Sequence, residues 1–228
     1  MDTILLNQIP FQPDLDTAAA ALRIREGTSG SELLQDLLEQ AAEVARPKAL
    51  ARPALIEDRD EDRVLLEGIA FHSRILRVNT EDVNRVFAFI ATCGTELEEW
   101  KDSFEDMITA YYADQINQLA LTSARDALEK TLVETFQLGE TSTMNPGSLS
   151  DWPISEQRPL FQLLGDPEEA IGVKLLPSML MSPGQSVSGL RFASDQEYYN
   201  CQLCPIENCP HRKAPFQPDL YNEQYSGK

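Results

Sequence analysis

The chain has few of the residues from which hydrolytic active sites are usually built. It contains two histidines, His72 and His211, and four cysteines in 228 residues. A Ser-His-Asp or Cys-His system needs a histidine beside its nucleophile. His72 lies in a segment with strand-like character, so we expect it to be structural, and we find no support for a hydrolase.

Positive charge and long apolar runs are also scarce. The chain has 19 Lys and Arg residues and 37 Asp and Glu residues, which gives a net charge of −18. Nucleic acid and anionic membrane surfaces would repel such a chain. No run approaches the roughly 20 apolar residues of a membrane span, and Met1–Asn7 lacks the basic segment and apolar core of a secretory signal. We therefore expect a soluble, cytoplasmic protein.

Hydrophobic periodicity predicts two strong helices and a central strand. Apolar residues at 33, 34, 37, 38, 41, 44 and 45 predict an amphipathic helix over 31–45, which Pro47 ends. A capping pattern at 103–106 predicts a long helix that runs to about Gln137. Residues 85–93 are apolar and β-rich and predict a central strand.

Strands and helices follow one another without βαβ regularity, and no P-loop or Gly-x-Gly-x-x-Gly pattern occurs. The pattern predicts an α+β fold with a mixed, mainly antiparallel twisted sheet and flanking helices. Further strands are expected at 3–9, 64–71 and 74–78, and a hairpin over 171–193 around Pro183 and Gly184. We divide the chain into an N-terminal strand and helices (1–50), an α+β core (51–195) and a C-terminal Cys-rich tail (196–228).

The tail carries a pattern typical of metal sites. Cys201-x-x-Cys204 is a chelating spacing, and Cys209 and His211 follow within seven residues. Zinc bound by three thiolates and a histidine, or an iron–sulfur cluster, would fit these ligands. A cysteine group without metal, its thiol pKa values lowered by Arg212 and Lys213, is the third possibility.

Two segments carry a family resemblance. The first is a Pro146-Gly147 turn followed by Trp-Pro-x-Ser-Glu-Gln over 152–157, and the second is Ser-Met-Leu-Met-x-Pro-x-x-Ser-Val-Ser-Gly over 178–189. Together they resemble the activation domain of vitamin B12-dependent methionine synthase, in particular its free-standing relatives. The resemblance covers about 60–200 and is most specific at 145–164 and 176–199.

The resemblance implies an accessory protein that binds S-adenosylmethionine and helps to reactivate a cob(II)alamin partner by reductive methylation. The partner would be a corrinoid-binding protein or the other modules of the synthase, with cobalamin on the partner and a reductant protein as electron source. The implied ligand residues are Asp114, Asn145, Pro146, Gly147, Tyr198 and Tyr199.

The sequence departs from the family pattern at the turn. Thr143 stands where the family has a ligand-binding arginine, and Ser148 stands where it has a tyrosine. Losing the guanidinium removes a charge-assisted hydrogen bond worth roughly 1.5–3 kcal/mol. The alternatives are therefore a fold that has lost its ligand, and a metal-binding or electron-transfer accessory protein that works through the cysteines.

Overall fold

The computed structural model describes residues 2–194, 198–206, 208–209 and 212–225. The helices are α1 (Leu15–Leu22), α2 (Ser29–Val44), α3 (Arg74–Asn79), α4 (Thr95–Asp102), α5 (Met107–Phe136), α6 (Gln157–Leu164) and α7 (Pro167–Ile171). The strands are β1 (Ile4–Leu6), β2 (Lys48–Arg59), β3 (Arg63–Leu66), β4 (Ile69–His72), β5 (Arg85–Thr92), β6 (Thr141–Met144), β7 (Lys174–Leu175), β8 (Met181–Ser182) and β9 (Ser186–Ala193). The predicted α+β class is confirmed.

One antiparallel sheet organises the fold. Its strand order is β4-β3-β2-β5-β9-β6, and β1 also pairs with β2. The predicted central strand β5 is buried over residues 86–92 and pairs with β2 on one side and β9 on the other. The strand β6 lies beyond β9, so the segment before the Pro-Gly turn is held beside the strand that carries the Ser-Val-Ser-Gly motif.

Helices cover both faces of the sheet. The long helix α5 packs on one face, where Phe87, Phe89, Leu121, Leu128 and Leu132 form a buried cluster. The opposite face is covered by α3, α6 and the C-terminal segment, in a cluster that includes Trp152, Leu160 and Phe192. The side chains of a strand alternate between these two faces. Each residue near the sheet edge therefore points either to the α5 face or to the α6 face.

The helix α5 stops at the predicted residue, but its cap is Asp106 at the end of the predicted capping segment and not Ser103, which ends α4. The Asp106 carboxylate accepts a hydrogen bond from the Thr109 backbone N–H at 2.8 Å, which caps the first turn and lowers the pKa of Asp106. Gln137 takes a left-handed conformation at the other end and donates its N–H to the Val133 carbonyl. Within the described residues, neither α5 nor any other helix has the length and apolarity to cross a membrane.

The N-terminal helices belong to a second apolar layer. Leu34, Leu37 and Leu38 of α2 are buried against Leu97 of α4 and Ile116 of α5. The strand β1 joins the sheet directly, with Ile4 opposite Ala51. The helices α1 and α2 therefore belong to the layer formed with α4 and α5, and β1 adds a strand to the sheet.

Two local predictions are wrong, a third is wrong in part, and one strand was not predicted. The single strand expected over 64–71 is the antiparallel pair β3 and β4, because Glu67 and Gly68 take left-handed conformations and reverse the chain between them. Residues 74–79 form the helix α3, because the Ser73 hydroxyl caps it by accepting the Leu76 N–H at 2.9 Å. The expected hairpin over 171–193 does not form, since β8 pairs with β7 while β9 inserts between β5 and β6. The long strand β2 was not predicted because Pro53 interrupts its pattern. Proline is tolerated there because pairing with β1 ends at Ala51 and pairing with β3 starts at Ile56.

Candidate functional site

The Pro146-Gly147 turn closes on itself. Gly147 has φ +86°, a left-handed conformation that glycine adopts without strain. Its N–H donates to the Trp152 carbonyl at 2.7 Å, and the Ser148 N–H donates to the Asn145 carbonyl at 3.2 Å. These two backbone amides are thus used inside the loop.

The loop that follows is fixed to the body of the domain. Trp152 is 1% exposed and belongs to the apolar core on the α6 face. The Asp151 carboxylate accepts hydrogen bonds from the Ser73 hydroxyl at 2.5 Å and from the Ile75 N–H at 3.0 Å, both at the start of α3. The Glu156 carboxylate accepts the His72 N–H at 2.9 Å. His72 is therefore part of this structural attachment.

Asn145 connects three segments at the end of β6. Its Nδ2 donates to the Ser188 carbonyl of β9 at 2.8 Å, and its Oδ1 accepts from Asn200 Nδ2 at 3.3 Å. The approach depends on Gly189, where a Cβ would lie 2.4 Å from the Met144 carbonyl oxygen and 2.7 Å from Asn145 Nδ2. Asn200 Oδ1 is buried and has no partner among the described residues.

The two predicted tyrosines face different environments. Tyr199 forms a parallel bridge with Thr143, and Tyr198 donates its N–H to the Ser142 hydroxyl. The Tyr198 side chain lies in the core on the α6 face with 9% exposure, and burial raises the pKa of its hydroxyl. That hydroxyl has no partner among the described residues. By strand alternation, Tyr199 shares the α5 face with Thr143 and Asn145.

Asp114 of α5 lies near the start of β9, the strand whose Ser188 carbonyl accepts the hydrogen bond from Asn145. Both of its carboxylate oxygens accept a hydrogen bond from Gln185 Nε2 at 3.2 Å. Gln185 precedes Ser188, the partner of Asn145, by three residues, or about 10 Å along an extended chain. Asn145, Pro146, Gly147 and Tyr199 thus lie together, while Asp114 lies at a distance that an extended ligand would have to span.

A cavity of about 930 Å³ opens elsewhere, between the C-terminal segment and the end of the sheet where β5 begins. Tyr198, Tyr225 and Arg85 line it together with Phe87 and Leu220. The Tyr225 hydroxyl donates to Asn79 Oδ1 at 2.8 Å. Tyr198 therefore borders this cavity on the α6 side of the sheet and does not share the face of Asn145.

The loop that carries Cys201, Cys204 and Cys209, here called the cysteine loop, is stabilised by an arginine. The Arg212 guanidinium donates to the carbonyls of Cys201 at 2.9 Å, Cys204 at 2.9 Å and Ala214 at 3.0 Å, and also to that of Ile206. The thiols of Cys201, Cys204 and Cys209 are free and half-buried. No three His, Cys, Asp or Glu side chains of the described residues are arranged to hold a metal, and His211 lies outside those residues.

One residue near the turn was missed from the sequence. Arg191 of β9 lies directly opposite Thr143 of β6, and its guanidinium pairs with Glu129 of α5 at 2.7 Å. Arg191 is the only charged residue in the strand Ser-Val-Ser-Gly-Leu-Arg-Phe-Ala. A lone cation in an otherwise uncharged strand is a signal that could have identified it, although its pairing with Thr143 could not be read from the sequence.

Comparison with known proteins agrees with this architecture. Residues 145–211 match the model of a family described as vitamin B12 dependent methionine synthase, activation domain. The fold is similar to that in the crystal structure of the MetH reactivation domain bound to AdoHcy, with a TM-score of 0.68 and 16% identity over 87% of this chain and 81% of that one. No curated protein matches the sequence. The resemblance seen in the sequence is therefore confirmed.

Proposed function

We propose that this chain, which resembles the activation domain of vitamin B12-dependent methionine synthase in sequence and fold, binds S-adenosylmethionine and serves the reactivation of a corrinoid partner. The observation that carries the proposal is the closed turn at Pro146 and Gly147, held by Asn145 on the α5 face of the sheet. The similar MetH domain was solved with AdoHcy, which supports a ligand of this class.

The residues at the turn suit the nucleoside and amine parts of such a ligand. Tyr199 supplies an aromatic side chain near the turn, and aromatic faces attract both sulfonium cations and adenine rings. Asn200 Oδ1 is a buried acceptor with no partner in the part of the chain that the structure describes, so an ammonium or amino N–H of the ligand would satisfy it. Asp114 offers a carboxylate farther along β9.

The part of this chain in the reaction would be positioning. When bound, S-adenosylmethionine supplies an electrophilic methyl group, and the reduced cobalt of the partner accepts it. Asn145 and Tyr199 would orient the ligand, and the rigid attachment of the loop through Trp152 would hold that orientation. A corrinoid partner that recovers activity equally fast without this chain would contradict the proposal.

Calorimetric titration of S-adenosylmethionine into anaerobically purified protein tests the ligand assignment. We expect saturable micromolar binding, weakened about tenfold in Asn145→Ala, because two hydrogen bonds that fix the turn are lost. Asn7→Ala removes the same group at an exposed site and is the matched control. Asp114→Ala should weaken binding, whereas Tyr198→Phe should not, since that hydroxyl faces the other side. Absence of binding at millimolar ligand would contradict the proposal.

A second candidate function rests on the cysteine loop. We propose that Cys201, Cys204 and Cys209, with His211 as a further candidate ligand, bind zinc or an iron–sulfur cluster. What supports it is that the Arg212 guanidinium donates hydrogen bonds to the carbonyls of both Cys201 and Cys204, which keeps these two cysteines on one loop. Such a loop would make the chain a metal-binding or electron-transfer accessory of a corrinoid methyltransferase.

Metal analysis of anaerobically purified protein separates the possibilities. A brown protein with broad absorbance near ~400 nm would indicate an iron–sulfur cluster, and a colourless protein with one equivalent of zinc would indicate a structural site. Cys204→Ser should remove either metal, and Cys93→Ser should not, because Cys93 is buried in the core at the end of β5. Protein without bound metal would contradict this second proposal.

A further inference from the structure

The cavity at the end of the sheet where β5 begins has no part in the functions proposed above. It encloses about 930 Å³, within the range of roughly 300–1,000 Å³ in which pockets hold small molecules. Thr141, at the start of β6, stands opposite the cavity residue Ala193, whereas the Pro146-Gly147 turn follows the other end of β6. The cavity is therefore separate from the turn. Its apolar lining residues are Leu55, Val78, Val83, Phe87, Leu138 and Leu220.

Arg85 lines this cavity and has no anionic partner. Its Cζ lies 5.2 Å from the ring centroid of Phe87 and 4.9 Å from that of Phe136. The Arg85 side chain forms no hydrogen bond or ion pair with any residue that the structure describes. The N–H groups of a guanidinium point outward in its own plane, so stacking on aromatic rings leaves them free to bind a carboxylate. The two rings thus position a cation whose donors are still available.

Tyr198 lines the same cavity from the α6 side and carries a second unsatisfied group. The residue is 9% exposed, and its hydroxyl has no hydrogen-bond partner within the described part of the chain. The neighbouring Tyr225 hydroxyl, in contrast, donates to Asn79 Oδ1. Burial raises the pKa of the Tyr198 hydroxyl, so that it stays protonated and can donate. Buried hydroxyl groups are normally hydrogen-bonded, so an acceptor on a bound molecule would complete this one.

The register of the sheet gives the separation of these two groups. Val86, the neighbour of Arg85, stands opposite Phe192, which in turn stands opposite Ser142. The Tyr198 N–H donates to the Ser142 hydroxyl from the next position outward. Three steps between neighbouring strands amount to about 14 Å along this row. A molecule that reaches both Arg85 and Tyr198 must therefore be elongated.

The carboxylates of the cavity limit the charge of such a molecule. Glu81, Asp82 and Glu223 also line the cavity, and all three are exposed. Glu81 is paired with Arg77 at 3.5 Å. Arg85 is the only Lys or Arg among the described lining residues, so a second negative charge on a ligand would meet Asp82 and Glu223 without a further cation. The charges therefore favour a monoanion over a phosphate ester.

We propose that this cavity binds an elongated organic monoanion, whose carboxylate pairs with Arg85 and whose far end carries a polar group that accepts the hydrogen bond of Tyr198. The apolar body of the ligand lies between them, against side chains such as Phe87 and Leu220. Medium-chain carboxylic acids with a hydroxyl or carbonyl group at the other end form the class that fits. The site is separate from the turn and from the cysteine loop, so its test depends on neither.

Three linear compounds with the same carbon chain test the proposal by calorimetric titration below the concentration at which micelles form. They are 12-hydroxydodecanoate, dodecanoate, which lacks the hydroxyl, and 1,12-dodecanediol, which lacks the carboxylate. We expect the unmodified protein to bind 12-hydroxydodecanoate saturably. Arg85→Gln should weaken this binding about tenfold, which corresponds to roughly 1.4 kcal/mol, and leave the affinity for the diol unchanged. Tyr198→Phe should lower the affinity for 12-hydroxydodecanoate relative to that for dodecanoate by about fivefold.

The matched controls are Arg25→Gln and Tyr111→Phe, which make the same changes at exposed sites outside the cavity and should leave all three affinities unchanged. If they weaken binding as much as the cavity variants do, the compounds bind as amphiphiles to the surface and the proposal is wrong. Equal weakening of 12-hydroxydodecanoate and the diol by Arg85→Gln would overturn the carboxylate assignment. An unchanged ratio of the two acids in Tyr198→Phe would overturn the assignment of the far end. Absence of saturable binding to the unmodified protein would overturn the site itself.

Discussion

The loop over 145–157 and the described part of the cysteine loop (198–206, 208–209 and 212–214) meet at Asn145 and Asn200, but they are stabilised by different interactions. The first loop is anchored by Trp152, which is buried in the apolar core, and by the Asp151 carboxylate, which accepts hydrogen bonds at the start of α3. The second is held mainly by the hydrogen bonds of one guanidinium, Arg212, to backbone carbonyls. Apolar burial resists local opening more strongly than partly buried polar contacts, so we expect the first loop to be rigid and the described part of the second to open more readily.

The difference in stabilisation also indicates which loop suits which of the two candidate functions. A rigid turn suits the orientation of a small molecule, which loses affinity when its donors move. A loop that opens at low cost suits the loading of a metal or the exchange of thiols. Each of the following changes tests one side of this contrast.

The largest effect is expected from Trp152→Ala. Removing a fully buried indole leaves a cavity in the core and should lower the free energy of unfolding by roughly 3–5 kcal/mol. Trp100→Ala is the matched control, because Trp100 is only partly buried, in an edge contact with Phe104 at 5.1 Å. Urea unfolding measures both variants. Equal losses in the two would contradict the view that Trp152 anchors the first loop.

An intermediate effect is expected from Gly147→Ala. The new Cβ would lie 2.6 Å from Ile154 Cδ1, at a φ of +86° that alanine adopts only with strain. We expect a loss of about 1–3 kcal/mol in thermal or urea unfolding. The double variant with Ile154→Ala should recover part of this loss, because it removes the clash but not the backbone strain. Gly139→Ala, with no atom within 4 Å of the new methyl group, should change little.

The smallest effect on global stability, and the clearest on local opening, is expected from Arg212→Met. In chelator-treated protein, loss of the guanidinium should raise the rate at which a disulfide reagent labels Cys201 and Cys204 by about tenfold. Mass spectrometry measures the labelling of each cysteine over time. Cys93 is an internal reference, because burial raises the pKa of its thiol to about 12. Arg25→Met changes an exposed arginine and is the control. Unchanged labelling of Cys201 and Cys204 in Arg212→Met would contradict the view that Arg212 stabilises the cysteine loop.

Local sequence determined the elements whose signals lie within a few residues. The periodicity of α2 and the cap and stop of α5 depend on contacts between neighbours three or four positions apart, which a single sequence displays. The same holds for β5, a continuous apolar run, and for the turn at Pro146 and Gly147, where two adjacent residues fix the backbone. The α+β class follows from the order of such elements.

Tertiary structure alone decided how distant segments pair and which face each side chain takes. The strand β9 pairs with β5 and β6, and that register places Arg191 opposite Thr143 and Gly189 against Asn145. Tyr198 and Tyr199 were equivalent candidates in the sequence, but a strand presents successive residues to opposite faces, so only the pairing of Tyr199 with Thr143 separates them. The sequence supplied the candidate residues, and the long-range hydrogen bonds of the sheet decided which of them share a site.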